Sequence, residues 1–280
     1  MNEINKKNSQ NQQEDNAQKI QNMDVLNKPN QEYKIIDENV RSSYITSGGN
    51  KANKYLELVV GKKGIWAFLK YEFITGIFSN FPGAFGILLR SIFYKFLFKK
   101  VGKGVIFGKN ITIRHPHKII IEDNVFIDEN CMLDAKGSDN EGIKIGKGCY
   151  IGRNSILSCK NGDIFLEENV NIGFNCEIHS SSLVKIGANT LIAAYVYIIS
   201  GDHIHDVVDK PIIFLGGISK GITIGKNCWL GAKSIIFDGI NIGNDVIIGA
   251  SAIVNTDIAD HLVAVGIPAR VIKNRLKETK

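Results

Sequence analysis

Cysteine, proline, methionine and tryptophan are all scarce in this 280-residue chain, at five, five, three and two. Five cysteines are an odd number, and no two form a Cys-x-x-Cys pair. This argues against a disulfide framework and for a reducing compartment, so the expected location is cytoplasmic. The opening stretch "MNEINKKNSQNQQEDNAQKIQNMDVLNKPNQ" has neither an apolar core nor a cleavage site. It is rich in Asn and Gln, and residues 1–50 are expected to form a disordered polar tail. Glycine is frequent, but no collagen-like triplet accompanies it.

Negative charge is nearly absent from one region. Residues 51–109 hold eleven Lys or Arg against Glu57 and Glu72, a local excess of nine that exceeds the net +6 of the whole chain. Such a patch suits an anionic surface. Within it, "GIWAFLKYEFITGIFSNFPGAFGILLRSIFYKFLFKK" (64–100) is apolar and aromatic. Its longest uncharged run, Phe73 to Leu89, is seventeen residues and is broken by Pro82-Gly83. That is at the lower limit for a membrane span and interrupted. The composition predicts two short amphipathic helices around a Pro-Gly turn. Residues 51–100 are expected to cap the domain that follows, with or without peripheral membrane contact through 64–100. No nucleic-acid-binding module accompanies the charge.

What the remaining sequence has in abundance is one pattern. From about residue 101 an aliphatic residue recurs every six positions, as in "IGKNCW-LGAKSI-IFDGIN" from Ile224 and "IGNDVI-IGASAI-VNTDIA" from Ile242. Seven such triplets of hexads can be read. Six residues are too few for a helix hairpin but enough for a short strand and a corner. Three hexads therefore make one triangular coil, stacked on the next by parallel pairing. The leading aliphatic points inward, and so does the residue two before it. That second position is held by Val125, Cys131, Cys149, Ser155, Val170, Cys176, Cys228, Ser234, Val246 and Ala252. Four of the five cysteines thus read as small core residues. Gly, Asn and Asp at the second to fourth hexad positions supply the corners. The pattern gives a parallel β-helix but not its hand, since ordinary parallel crossovers are right-handed in about 98% of cases.

The pattern breaks twice. An insertion around "AKGSDNEG" separates Ile121 from Ile145 and reads as a polar surface loop. A longer one, His203 to Ile222 ("HIHDVVDKPIIFLGGISKGI"), opens on the segment that carries His203 and His205. Long loops on rigid scaffolds tend to carry function.

The hexads, together with "GDHIHDVVDKPI", "IGKNCWLGAKSII", "IGNDVIIGASAIV" and "VGIPARVIK", resemble the hexapeptide-repeat acyltransferases. The branch they are most similar to comprises sugar and polysaccharide O-acetyltransferases of the galactoside and maltose acetyltransferase type. The resemblance spans about residues 101–275 and implies an all-β solenoid: a left-handed parallel β-helix of about seven triangular coils, preceded by short α-helices. It also implies a homotrimer, acetyl-CoA as co-substrate, no metal, and transfer to a sugar hydroxyl of a surface polysaccharide or its precursor. Such a hydroxyl needs a base, a role suited to histidine. The family's catalytic histidine stands seventeen residues after an Ile-Gly, which from Ile186-Gly187 lands on His203. His205 falls outside that match. The implied oxyanion donor is the backbone N–H of Ala232, and the implied acetyl-CoA contacts are Trp229, Gly231, Ala232, Ala250, Arg270 and Lys273. Arg270 and Lys273 also read as a solvated basic tail, and Trp229 as corner packing.

This sequence departs from galactoside-type members at two places. Gly173 stands where they have the Asn of an Asn-Phe-Asn motif, and Ser181 where they have an acceptor-binding Asp. Asn175 and Glu177 remain as acceptor candidates. Two other readings stay open, an N-acyltransferase for an amino-sugar nucleotide and a non-catalytic β-helix scaffold. The spacing of His179, His203 and His205 does not reproduce that of the zinc histidines of a carbonic anhydrase of the same fold.

Overall fold

Each hexad forms one strand of two to four residues and then a corner. A computed structural model describes residues 33–36 and 51–276. The tail expected over 1–50 therefore lies outside the described residues except for 33–36. There, Lys34–Ile36 is a strand, a departure from the disorder expected of that stretch.

The strands stack into three parallel walls. The first runs from Lys100–Val101 to Asn241–Ile242, the second from Ile106–Phe107 to Leu262–Val265, and the third from Thr112–Arg114 to Ile253–Val254. Seven complete coils result, and an isolated bridge between Ile242 and Ile258 begins an eighth. The second wall ends with Arg270–Asn274, paired antiparallel to Leu262–Val265. The leading aliphatics and all ten residues read at the second inward position are buried at 4% exposure or less where they fill the bore, from Val125 to Ala252. All five cysteines are free and buried, including Cys159 outside that set. Burial pushes the thiol of Cys131 up to about 12 and that of Cys149 to about 11, so neither supplies a nucleophile.

Corners are built by residues in the left-handed region. Asn110, Asn130, Asn154 and Asn175 take it, with φ between 55° and 60°, at the corner joining the second wall to the third in coils 1 to 4. Side-chain ladders reinforce corners, as where Asn110 Nδ2 donates to Asn130 Oδ1 at 2.8 Å.

The first coil exposes a row of strand edges, and the preceding segment closes it. A short helix, Lys51–Tyr55, runs into a π-helical turn, Leu56–Val60. The first cap helix, Ile65–Phe78, and the second, Gly83–Phe93, follow on either side of the Pro-Gly turn. Tyr71 Oη donates to Ile113 O at 2.6 Å, and Ser91 Oγ to Val105 O at 3.2 Å. Arg90, 1% exposed, donates from Nε to Phe107 O at 2.9 Å and from Nη1 to Phe81 O at 2.8 Å and Phe78 O at 3.2 Å. Side-chain donors thus satisfy edge carbonyls of coil 1. The first helix differs from the amphipathic expectation. Its inner residues Tyr71, Ile74 and Phe78 are buried, yet its opposite face is apolar too.

Candidate active site

His203 stands on a side structure built at the corner joining the third wall to the first. The chain leaves the third wall after Tyr197–Ser200 and forms the strand Asp202–His203. That strand pairs antiparallel with Gly217–Ser219, which pairs in turn with Lys34–Ile36. His203, Gly217 and Ile36 therefore occupy one rung of a three-stranded sheet. Both ends of the excursion are pinned. Ser219 Oγ lies 2.8 Å from Ser200 Oγ and 2.7 Å from Ser182 Oγ, and donates to Asp238 Oδ1 at 3.2 Å. Asp238 also accepts from the amides of Lys220 and Gly221 at 2.7 and 3.0 Å. The two-residue offset of the histidines gives them different settings. His205 Nδ1 donates to the carbonyl of His203 at 2.8 Å, and its Nε2 lies 3.8 Å from Asp206. Its pKa is raised, first by that carbonyl and then by Asp206. The ring of His203 is exposed and makes no hydrogen bond to any described residue. Beyond them, Val208, Ile212, Ile213 and Phe214 are all exposed.

Ala232 lies at a different corner, between the second and third walls of coil 6. Its N–H, and those of Ala194 and Ala250 in the coils on either side, have no acceptor among the described residues. The matching amides at the other corner of these coils are capped: Ala188 by Glu167 Oε2 at 3.1 Å, Lys226 by Asn244 Oδ1 at 2.9 Å, and Asn244 by Asp260 Oδ1 at 2.8 Å. Of these two corners in coils 5 to 7, the one with the three alanines carries the open donors and the other is capped. In that column the Asn of the earlier coils gives way to Tyr195, Lys233 and Ser251, with φ of 59° to 62°. Left-handed backbone costs a non-Gly residue about 1–2 kcal/mol, a cost met at other corners too, as at Asp245 and His261. This loss of Asn from three successive coils is visible in the sequence but was not among the features singled out there.

The other expected residues distribute as follows. Trp229 is half exposed on the second wall, between Leu191 and Ile247. Gly231 is buried, and a Cβ there would sit 2.5 Å from Ala250 N, so coil stacking accounts for its lack of a side chain. Ala250 is exposed. Arg270 and Lys273 are exposed on the C-terminal strand that closes the second wall. Asn175 serves as a corner, with φ of 55°. Glu177 accepts from His179 Nε2 at 3.0 Å on the outer surface of the third wall, and the His179 ring lies 5.5 Å from that of Tyr197. Sequence reading missed this grouping of Glu177, His179 and Tyr197. The alternation in "EIHS" and "YIIS" was its signal. At the two departures, a Cβ on Gly173 would meet the Ala193 carbonyl carbon at 2.8 Å, and Ser181 is buried.

A family model for the hexapeptide repeat of succinyl-transferase matches residues 164–200 and 221–255, on either side of the His203 excursion. A Mycobacterium tuberculosis protein named for acetyl transfer is 31% identical over 163 residues, covering 58% of this chain and 54% of that protein. Galactoside O-acetyltransferase of Escherichia coli K12 is 38% identical over 112 residues, 40% of this chain and 54% of that protein. WbbJ of Escherichia coli K12, named for O-acetyl transfer in lipopolysaccharide biosynthesis, is 33% identical over 159 residues, 54% of this chain and 79% of its own length. The chain thus spans about half the length of the first and second of these relatives and most of the third. Stacked hexads and these matches together define the class: the chain belongs to the hexapeptide-repeat acyltransferase family, whose coil is a left-handed parallel β-helix.

Proposed function

We propose that this protein is an acetyl-CoA-dependent O-acetyltransferase acting on a sugar hydroxyl of a surface polysaccharide or its precursor, working as a homotrimer in the cytoplasm. The observation that carries the reading is the pair of separated features. An exposed histidine sits on a pinned strand at one corner, and an open amide column sits at the next. A wall of four to five residues lies between them, about 15 Å at 3.3 Å per residue. One chain therefore does not bring base and oxyanion donor together, whereas neighbouring chains around a threefold axis can.

In this reading the hydroxyl oxygen attacks the thioester carbonyl carbon while His203 takes its proton. The carbonyl oxygen becomes an oxyanion beside the N–H of Ala232 on the adjoining chain. Collapse breaks the C–S bond, and the thiolate takes the proton back from His203. Ester and free thiol leave, and no acyl-enzyme forms. Ala194, Ala232 and Ala250 leave room along the column for a pantetheine arm. Arg270 and Lys273 offer charge to its phosphates. Glu177, with its His179 and Tyr197 neighbours, is offered as the acceptor-facing group. The filled space at Gly173 and the burial of Ser181 favour an acceptor other than a simple galactoside.

The test is thiol release from acetyl-CoA with glycan acceptor. His203→Ala is expected to lower turnover by roughly 10²–10⁴ at matched acetyl-CoA occupancy. His205→Ala should cost far less, since its ring is engaged with the loop. The reverse order would assign the base to His205. Release of the product's acetyl group by mild alkali would identify an ester, whereas resistance would identify an amide.

A further inference from the structure

The closure of coil 1 uses only one side of the cap helices. On the first, Ile65, Leu69, Phe73 and Ile77 recur every four residues on the outer side, with Trp66 beside them. Trp66 is 81% exposed and Phe73 58%. On the second, Gly86 and Arg90 face inward while Phe85, Leu88 and Ile92 are exposed. Contiguous apolar surface of this extent is rare on a soluble monomer unless something covers it. Around it stand Lys62, Lys63, Lys70, Lys95, Lys99 and Lys100, all exposed. The nearby acids are Glu57 and Glu72, and Glu72 accepts from Tyr55 Oη at 2.5 Å.

Charge selects the occupant. A second copy seated on this face would set lysines against lysines. An anionic lipid surface instead receives apolar side chains below the headgroups and ammonium groups among them. No helix among the described residues is long and apolar enough to cross a membrane. Fourteen and eleven residues give helices of about 21 and 16 Å at 1.5 Å per residue, short of a hydrocarbon core of about 30 Å. Arg90 and Tyr71 fix both helices to the coil edge, so the face is presented rigidly.

We propose that the outer face of the two cap helices docks this protein on an anionic bilayer, with both helices lying in the interfacial plane. The solenoid then stands away from the lipid. At about 4.8 Å per coil, the excursion between coils 5 and 6 sits roughly 20 Å from the cap. If the acetyl-transfer reading holds, on which this consequence rests, the acceptor is a lipid-anchored glycan long enough to reach that height.

The experiment is co-sedimentation of the full chain with phosphatidylglycerol-containing vesicles and with pure phosphatidylcholine vesicles. Binding is expected to the anionic vesicles, with release in 1 M salt, where screening acts over about 3 Å. Replacing Lys62, Lys63, Lys99 and Lys100 by Gln should weaken it by about fivefold per lysine. Trp66→Ser with Phe73→Ser should weaken it as well while lowering the melting temperature only slightly, because both side chains are more than half exposed and Phe73 keeps one edge contact, with Phe78. His203→Ala should bind vesicles as the wild type does, which separates failure of docking from failure of the catalytic reading. Absence of binding at low salt, equal binding to neutral vesicles, or a changed oligomeric state in the Trp66/Phe73 variant would each overturn the proposal. The last outcome would assign the face to another copy of the chain.

Discussion

Arg90 shares the closing of coil 1 with Tyr71 and Ser91, and its environment says what replacing it should do. Its guanidinium is buried, donates to carbonyls of Phe78, Phe81 and Phe107, and forms no ion pair among the described residues. Burial lowers its pKa, yet the donors are needed because these carbonyls have lost water. Removing them leaves several buried acceptors unsatisfied, at about 1–3 kcal/mol each before relaxation. Arg90→Ala is therefore expected to destabilise the fold by about 3 kcal/mol in denaturant melting. Arg90→Lys should recover less than half, because an ammonium cannot reach both coil and helix carbonyls in a planar fork. Equal stability of Arg90→Lys and wild type would show that charge alone is enough at this position.

Among the elements, the turn before the cap helices is the one most exposed to acid. His115 Nε2 donates to Glu57 O at 2.8 Å, and the two rings of His115 and His117 stack with centroids 5.9 Å apart. Burial lowers the pKa of both and holds His117 down at about 4, with Lys62 adding to the effect. An unfolded histidine titrates near 6.5, so below that pH the unfolded state binds the extra proton first. Stability contributed by His117 is then present above about 6.5 and lost progressively as pH falls towards about 4. Protection of the 56–60 amides, taken relative to the intrinsic exchange rate at each pH, should fall between pH 6.5 and 5, and His117→Gln should flatten that dependence. An unchanged profile in His117→Gln would move the sensitivity to His115 or to carboxylates.

The elements also show how far the sequence can be read. Coil number, inward positions and the burial of four cysteines follow from a six-residue period, because each strand's fate is decided locally by which side chains fit the bore. The excursion at His203 was visible as a surplus over that period. Its internal structure was not, since Asp202–His203 and Lys34–Ile36 are two- and three-residue strands that exist only through pairing with Gly217–Ser219. The cap helices were legible from composition, but the apolar outer face of the first was not, because a pattern that is apolar all round marks no side as inner. Open amides at Ala194, Ala232 and Ala250 depend on what lies beside each corner, which no local pattern encodes.

For the whole molecule, the central claim is that base and oxyanion donor come from different chains. The corner of Ala232 and the excursion of His203 are held apart by a rigid wall, so flexing within one chain does not join them. The direct measurement mixes two inactive parents, His203→Ala and Ala250→Trp, the second filling the column beside Ala232 while keeping its own His203. The two are unfolded together, refolded at equal amounts and assayed for thiol release. If the site is shared around a closed threefold ring, every mixed trimer holds one intact site in three, and activity should return to roughly a quarter of wild type. Recovery no greater than the average of the two parents would contradict the account and place the whole site within one chain.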